Sequence, residues 1–255
     1  MFFSYNENIN IYYEKFGYNK KKPLIIFPGW GDNRNTFDSI IKTLERNYII
    51  YIFDYPGFGN STIKNETLTI YNYAEIFIDF MKKFNIKNPV VIGHSFGGRI
   101  ILTMSGKYNI KFNKIILMSC AGIKSNRNNK LKFKTKIYKF LKNLAKILPK
   151  KIKNKYLNAL INIFGSKDYK TVPSNLRNTF LNIVNEDLKQ YLENIEDETL
   201  IIWGENDIDT PLEDAYTMNF LIKNSGLIIV NNTDHFFYLQ KSSYINKILL
   251  TYLKS

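Results

Sequence analysis

Gly93-His94-Ser95-Phe96-Gly97-Gly98 follows the apolar run Pro89-Val90-Val91-Ile92 and precedes the helix-like stretch Arg99-Ile100-Ile101-Leu102-Thr103-Met104. The string is a G-x-S-x-G pattern, and its strand–turn–helix setting is what gives it meaning. A serine on so sharp a turn is held in a strained backbone conformation, with the start of a helix directly behind its hydroxyl. Gly93 and Gly97 stand where a side chain would collide with neighbouring backbone. Alone, the pattern fits a plain glycine-rich loop equally well. In this setting it makes Ser95 the candidate nucleophile.

Outward from the elbow the chain alternates strand and helix patterns. Residues 2–4 and 9–16 read as an antiparallel start, turned at Asn6-Glu7-Asn8. Leu24-Ile25-Ile26-Phe27 is a continuous apolar run ended by Pro28-Gly29, and residues 48–53 form the next strand. Helical spacing covers 36–46 through Phe37, Ile40, Ile41 and Leu44, and 70–84 through Tyr73, Ile76, Phe77, Phe80 and Met81. Further strands are expected at 114–118, 200–203 and 227–230, and helices near 212–222 and 244–253. This alternation predicts an α/β architecture, a mostly parallel sheet with helices on both faces. Sites in such sheets lie at the carboxyl ends of the strands, where every chemically promising loop of this chain falls.

A serine hydroxyl is a poor nucleophile at neutral pH and needs a base within hydrogen-bond reach. The chain has two histidines, His94 and His235. Successive side chains in the elbow point apart, so His94 is a poor partner for Ser95, and His235, in a loop directly after a strand, is the candidate base. A histidine in that role needs an acid to fix its tautomer and stabilise the imidazolium. Trp203-Gly204-Glu205-Asn206-Asp207 follows the strand at 200–203 and leads to Asp209. Asp207 is the first choice, Asp209 the second and Glu205 the third. The oxyanion formed during acyl transfer needs backbone N–H donors. Phe96, immediately after the nucleophile, supplies one, and Trp30, in the Pro28-Gly29-Trp30-Gly31 loop, the other. Trp30 and Phe96 are also the expected substrate-binding residues, the indole lining the acyl pocket rather than only packing. Asp54 with Pro56-Gly57-Phe58-Gly59 reads as a structural turn, and Cys120 as a core or pocket-wall residue. No His/Cys/Asp cluster has metal-ligand spacing and no phosphate-binding glycine loop is present, so neither metal nor cofactor is expected.

In order and spacing, Pro28-Gly29-Trp30-Gly31, Asp54-Tyr55-Pro56-Gly57-Phe58-Gly59-Asn60-Ser61, Gly93-His94-Ser95-Phe96-Gly97-Gly98, Gly204-Glu205-Asn206-Asp207 and Asp234-His235-Phe236 resemble the α/β-hydrolase superfamily across nearly the whole chain. The resemblance implies one domain over 1–255, an eight-stranded and mostly parallel sheet, and a helical cap inserted at about 123–190. It also implies a Ser-His-Asp triad, in the chain order Ser…Asp…His, acting on a carboxylic ester. Serine at 95 sets the chain apart from the branches with an aspartate nucleophile. Two positions depart from the common pattern. Pro28-Gly29 stands where His-Gly is usual, so the hydrogen bonds of that histidine must be replaced or absent. Asp234 stands where glycine usually precedes the catalytic histidine. Within the superfamily, the Gly-Trp-Gly loop and Gly-His-Ser elbow look like the carboxylesterases that cleave pimeloyl-acyl-carrier-protein methyl ester. The same strings occur in general esterases and carbon–carbon bond hydrolases. An acyltransferase, or a non-catalytic ligand-binding protein on the same fold, is the alternative.

The net charge of +14 is concentrated. Residues 123–190 hold 17 Lys and Arg against 3 acids, and the remainder is balanced. Apolar Leu131, Phe133, Ile137, Phe140, Leu141, Leu144, Ile147 and Leu148 alternate with these lysines mostly at helical spacing. Such a segment is expected to be a lid with solvated lysines, a surface that attracts an acidic carrier protein or anionic substrate, or a helix lying on a membrane surface. No nucleic-acid-binding motif accompanies the charge, and nucleic acid is not an expected partner. One cysteine precludes an internal disulfide, and no signal peptide or membrane-spanning run is read, so a cytoplasmic protein is expected.

Overall fold

Leu24, Ile25, Ile26 and Phe27 are all buried, which successive strand residues achieve only when both faces of their sheet are covered. The structure, a computed structural model, describes residues 1–18, 22–124, 149, 152–153, 156, 159 and 172–254. Its strands are β1 (Phe2–Ser4), β2 (Ile9–Phe16), β3 (Lys22–Phe27), β4 (Tyr48–Phe53), β5 (Thr62–Ile63), β6 (Val90–His94), β7 (Lys114–Met118), β8 (Thr199–Gly204) and β9 (Ser225–Val230). They form one sheet in the order β1-β2-β4-β3-β6-β7-β8-β9, with β5 paired to β2 beside this path. From β4 to β9 every neighbouring pair is parallel, while β1, β2 and β5 pair antiparallel. Among the described residues the sheet therefore has nine strands where eight were expected. The addition, β5, is two residues long, too short to show a period in the sequence.

Register decides where the loops emerge. Phe27 lies opposite Gly93, His94 opposite Met118, Met118 opposite Ile202, and Gly204 opposite Val230. The last residues of β3, β6, β7, β8 and β9 thus share one edge of the sheet. The chain leaves β3 for β4 on one side and β6 for β7 on the other, so β3 and β6 flank the topological switch point.

Among the described residues the helices with defined bounds are α1 (Asp38–Leu44), α2 (Ile70–Lys83), α3 (Phe96–Leu102), α4 (Arg177–Asn185), α5 (Leu212–Leu221), α6 (Phe237–Gln240) and α7 (Ser242–Lys254). Leu24, Ile26, Ile50, Ile52, Ile92 and Ile116 pack on one face with Phe37, Ile41 and Leu44 of the α1 region and with Phe237, Ile245 and Leu249 of α6 and α7. On the other face Phe27 meets Phe77 and Phe53 meets Phe80, both from α2. Alternation along each strand sends neighbours to opposite faces, so both cores draw on the same short runs. A capping box of Thr69 with Asn72 starts α2, and Asn85, at φ 50°, follows its end. After α3 the helix continues as a π-turn, Thr103–Lys107.

The chain divides into two compact units, residues 1–123 with 186–255, and residues 124–185. The first holds the whole sheet. In the second, a 3-10 turn at Ser174–Leu176 leads into α4, which buries Thr179, Phe180 and Ile183. The apolar stripe expected from Leu131 to Leu148 lies outside the described residues. Among the described residues no helix is long and apolar enough to cross a membrane.

Candidate active site

β6 ends in the middle of the sheet, and the chain turns there straight into α3. Ser95 occupies the turn at φ 50° and ψ −110°, a conformation that L-residues rarely adopt. It persists because the surroundings over-determine it. Ser95 N–H donates to the Met118 carbonyl at 3.0 Å, and the Ser95 carbonyl accepts from Gly98 and Ala121 N–H at 3.1 Å each. A Cβ at Gly97 would run into the Phe27 carbonyl oxygen, and one at Gly93 would lie 2.8 Å from Gly97 backbone. The elbow is therefore wedged against β3 and β7, with Ser95 only half-buried at its tip.

His235 follows β9 and Asp207 follows β8, and the register of those strands brings the two loops together. His235 Nδ1 lies 2.8 Å from Asp207 Oδ2. Asp207 is held by more than the histidine. Its Oδ1 accepts from Asp209 and Thr210 N–H, each at 2.9 Å, and its Oδ2 accepts from Thr210 Oγ1 at 2.8 Å. Burial opposes ionisation of Asp207, but the hydrogen bond and charge of His235, with the Thr210 N–H, outweigh it and hold the carboxyl below its ordinary value. Burial acts the other way on His235, disfavouring the imidazolium and so lowering it. The Asp207 hydrogen bond and charge, helped by Asp209 and Asp32, win and raise it. With Nδ1 engaged, Nε2 is the nitrogen left for proton transfer. The Ser95 hydroxyl shares no hydrogen bond with His235 in this arrangement.

The other carboxylates of this region have different places. Asp209 is exposed, and Glu205 Oε2 accepts from Asn232 N–H at 2.8 Å, tying the β8 turn to the β9 turn. Asp207, Asp209 and His235 bring potential metal-ligand atoms within 4.8 Å of one another. However, both Asp207 oxygens and His235 Nδ1 are already engaged within the protein. The group fits a hydrogen-bonded acid–base pair better than a cation site. Asp234 is exposed and its Oδ1 accepts from Phe236 N–H at 2.9 Å, a turn-forming role. Burial pushes the Cys120 thiol well up, which leaves it inert as a nucleophile.

Phe96 is the first residue of α3, so its N–H is among those a helix cannot satisfy internally. Its ring packs edge-on against Trp30, Tyr55 and Tyr73 at 4.9–5.1 Å between centroids. Trp30 also meets Phe58 edge-on at 5.0 Å, and is half-buried where Phe96 is buried. This aromatic group seats the 28–31 loop beside the elbow. Tyr55 Oη donates to the Pro28 carbonyl at 2.9 Å and His94 Nδ1 lies 3.3 Å from Asp32 Oδ2, so the loop is fastened without a histidine at position 28. Asp54 Oδ2 accepts from Asn60 N–H at 2.8 Å, which closes the turn carrying Tyr55. Tyr55 lies within the Asp54–Ser61 motif but is given no role by the sequence, and Thr210 and Asp32 carry no motif of their own. Only the Thr-Pro that begins the next helix marks the neighbourhood of Thr210.

A family model for the alpha/beta hydrolase fold matches residues 22–178, and one described as TAP-like protein matches residues 183–255. The uncharacterized hydrolase YugF of Bacillus subtilis is 24% identical over 97% of this chain and 96% of that protein. The pimeloyl-[acyl-carrier protein] methyl ester esterase of Wigglesworthia glossinidia brevipalpis is 27% identical over 91% of this chain and 93% of its own length. Among solved structures, an esterase from Exiguobacterium antarcticum superposes with a TM-score of 0.74 at 23% identity, covering 97% of this chain and 96% of the esterase. A hydrolase from Pseudomonas aeruginosa superposes with a TM-score of 0.77 at 15% identity over 100% and 98%. At such identities the superpositions speak to the fold alone.

Proposed function

The chain belongs to the alpha/beta hydrolase fold family, with esterases among its relatives, and within that family we propose a serine hydrolase that cleaves carboxylic esters through an acyl-enzyme. The observation that carries this reading is the 2.8 Å contact of His235 Nδ1 with the buried, fully hydrogen-bonded Asp207, on the strand edge where Ser95 occupies its strained turn. In the proposed sequence Ser95 Oγ attacks the ester carbonyl carbon while His235 Nε2 takes the hydroxyl proton. The oxyanion is stabilised by the N–H groups of Phe96 and Trp30. The tetrahedral adduct collapses, the carbon–oxygen bond to the alcohol breaks, and His235 returns its proton to the departing alkoxide. Water, deprotonated by His235, then releases the acid and restores Ser95. Asp207 stays ionised throughout and stabilises the imidazolium.

The basic segment supports a narrower substrate class, an acyl group borne on an acidic carrier protein. Its 17 cationic residues against 3 acids provide the attracting field, and one relative acts on such an ester. A cytoplasmic location accords with that class. Turnover of p-nitrophenyl butyrate tests the chemistry. The wild type should release p-nitrophenol catalytically, and Ser95→Ala should fall by about 10³-fold or more. A folded wild type with no turnover of short esters would favour a ligand-binding protein, and transfer of the acyl group to an added alcohol would indicate an acyltransferase.

A further inference from the structure

His94 has no part in the proton transfers, yet it is 1% exposed and engaged at both ring nitrogens. Nε2 lies 3.1 Å from the backbone carbonyl oxygen of His235. A carbonyl has no hydrogen to give, so Nε2–H is the donor. Nδ1 faces Asp32 Oδ2 at 3.3 Å, also an acceptor, so the two contacts are hydrogen bonds together when the ring carries both protons and pairs with the Asp32 carboxylate. The ring itself is confined by those of His235, Tyr238 and Phe236, at 4.7, 4.9 and 5.3 Å between centroids. One rigid imidazole, adjacent in sequence to the nucleophile, thus touches the loop that bears the base and the loop expected to bear an oxyanion donor. The latter is shaped to receive it. A Cβ at Gly29 would lie 2.6 Å from Asp32 Oδ2 and 2.9 Å from His94 Nδ1, so glycine at 29 is what leaves room for the pair.

We propose that His94 is a positioning residue which, together with Asp32, sets the spacing of the 28–32 loop and the 231–236 loop about Ser95. The proposal rests on the serine-hydrolase reading of the site. Transfer of a proton from Ser95 to His235 depends on sub-ångström placement of a base carried by a loop, and a 1 Å error costs about 10²-fold in rate. The loop after β9 is tied to the β8 turn by Asn232 N–H on Glu205 and by Asn206 N–H on the Thr233 carbonyl, and His94 adds a tie at the residue that bears the base. The hydrogen bond from His94 transfers to it the rigidity of β6, the central strand. Packing alone would ask only for a ring of suitable size, whereas the observed geometry asks for a donor at the position of Nε2.

The test compares His94→Ala, His94→Gln and Asp32→Ala with the wild type in p-nitrophenyl butyrate kinetics and in the rate of Ser95 labelling by a fluorophosphonate. His94→Ala should lower kcat about 10–100-fold with KM held within about twofold, and slow labelling in parallel. Gln places an amide nitrogen near the position of Nε2 and should regain about tenfold of that loss. Asp32→Ala removes the Nδ1 partner without opening the core and should lower kcat by about tenfold. Should His94→Ala not fold, Asp32→Ala decides. Wild-type kcat and labelling rate in either folded alanine variant, or a glutamine variant no faster than a folded alanine one, overturns the proposal while leaving the serine-hydrolase reading intact. A wild type that the probe never labels removes that reading and this proposal together.

Discussion

At the residue scale, the proposed chemistry turns on how two opposing influences settle on His235. Burial favours its neutral form and the Asp207 carboxylate favours the charged one, and the carboxylate prevails. A base must be unprotonated to act, and a raised pKa keeps the proton on to higher pH. The acidic limb of kcat/KM should therefore have its midpoint above the ordinary histidine value of 6.5. Asp207→Asn removes the raising influence and leaves the burial, so the same limb should move to lower pH while kcat drops by about 10³–10⁴-fold. A pH–rate profile of both proteins checks this, and a limb that stays put would mean that Asp207 does not govern His235. Much of this pair was legible in the sequence, because Ser95 called for a base and only two histidines were on offer. Thr210 was not legible, nor was the choice of Asp207 over Asp209 more than a preference. Both depend on how the loop between β8 and α5 closes, which no periodicity records.

At the scale of elements, the elbow works as a wedge between β3 and β7, and its glycines are steric necessities. Gly97→Ala would drive a methyl into the Phe27 carbonyl, and should destabilise by several kcal/mol or abolish folding, read by urea denaturation. Tyr55→Phe leaves the buried Pro28 carbonyl without its donor and should cost about 1–3 kcal/mol in the same assay. An unchanged midpoint in Tyr55→Phe would mean that the 28–32 loop is secured elsewhere. The long strands and helices were readable because buried apolar runs and 3.6-residue spacing leave strong marks. Residues 48–53 and 114–118 coincide with β4 and β7 to the residue. β5, α6 and the π-turn after α3 were not readable. Two to five residues fixed by neighbouring strands and loops hold too little pattern of their own.

At the scale of the whole molecule, strand order lies beyond local pattern, since nothing within β3 states that β4 and β6 are its neighbours. Only the expectation that sites sit at carboxyl ends linked five distant loops before the register was known. The charge of residues 123–190 makes its own prediction at this scale. Cleavage of an ester presented on an acidic carrier protein should slow markedly as ionic strength rises past about 0.1 M, where screening acts within about 10 Å. Turnover of neutral p-nitrophenyl butyrate should stay within about twofold over the same range. Salt-insensitive cleavage of the carrier-borne ester would assign the lysines to solvation alone. The central claim, that Ser95 is the nucleophile activated by His235, is tested most directly by treating the folded protein with a fluorophosphonate and mapping the adduct by peptide mass spectrometry. The account predicts a single phosphonyl group on Ser95, formed far more slowly in His235→Ala. An adduct on any other residue, or none on the folded wild type, would contradict it.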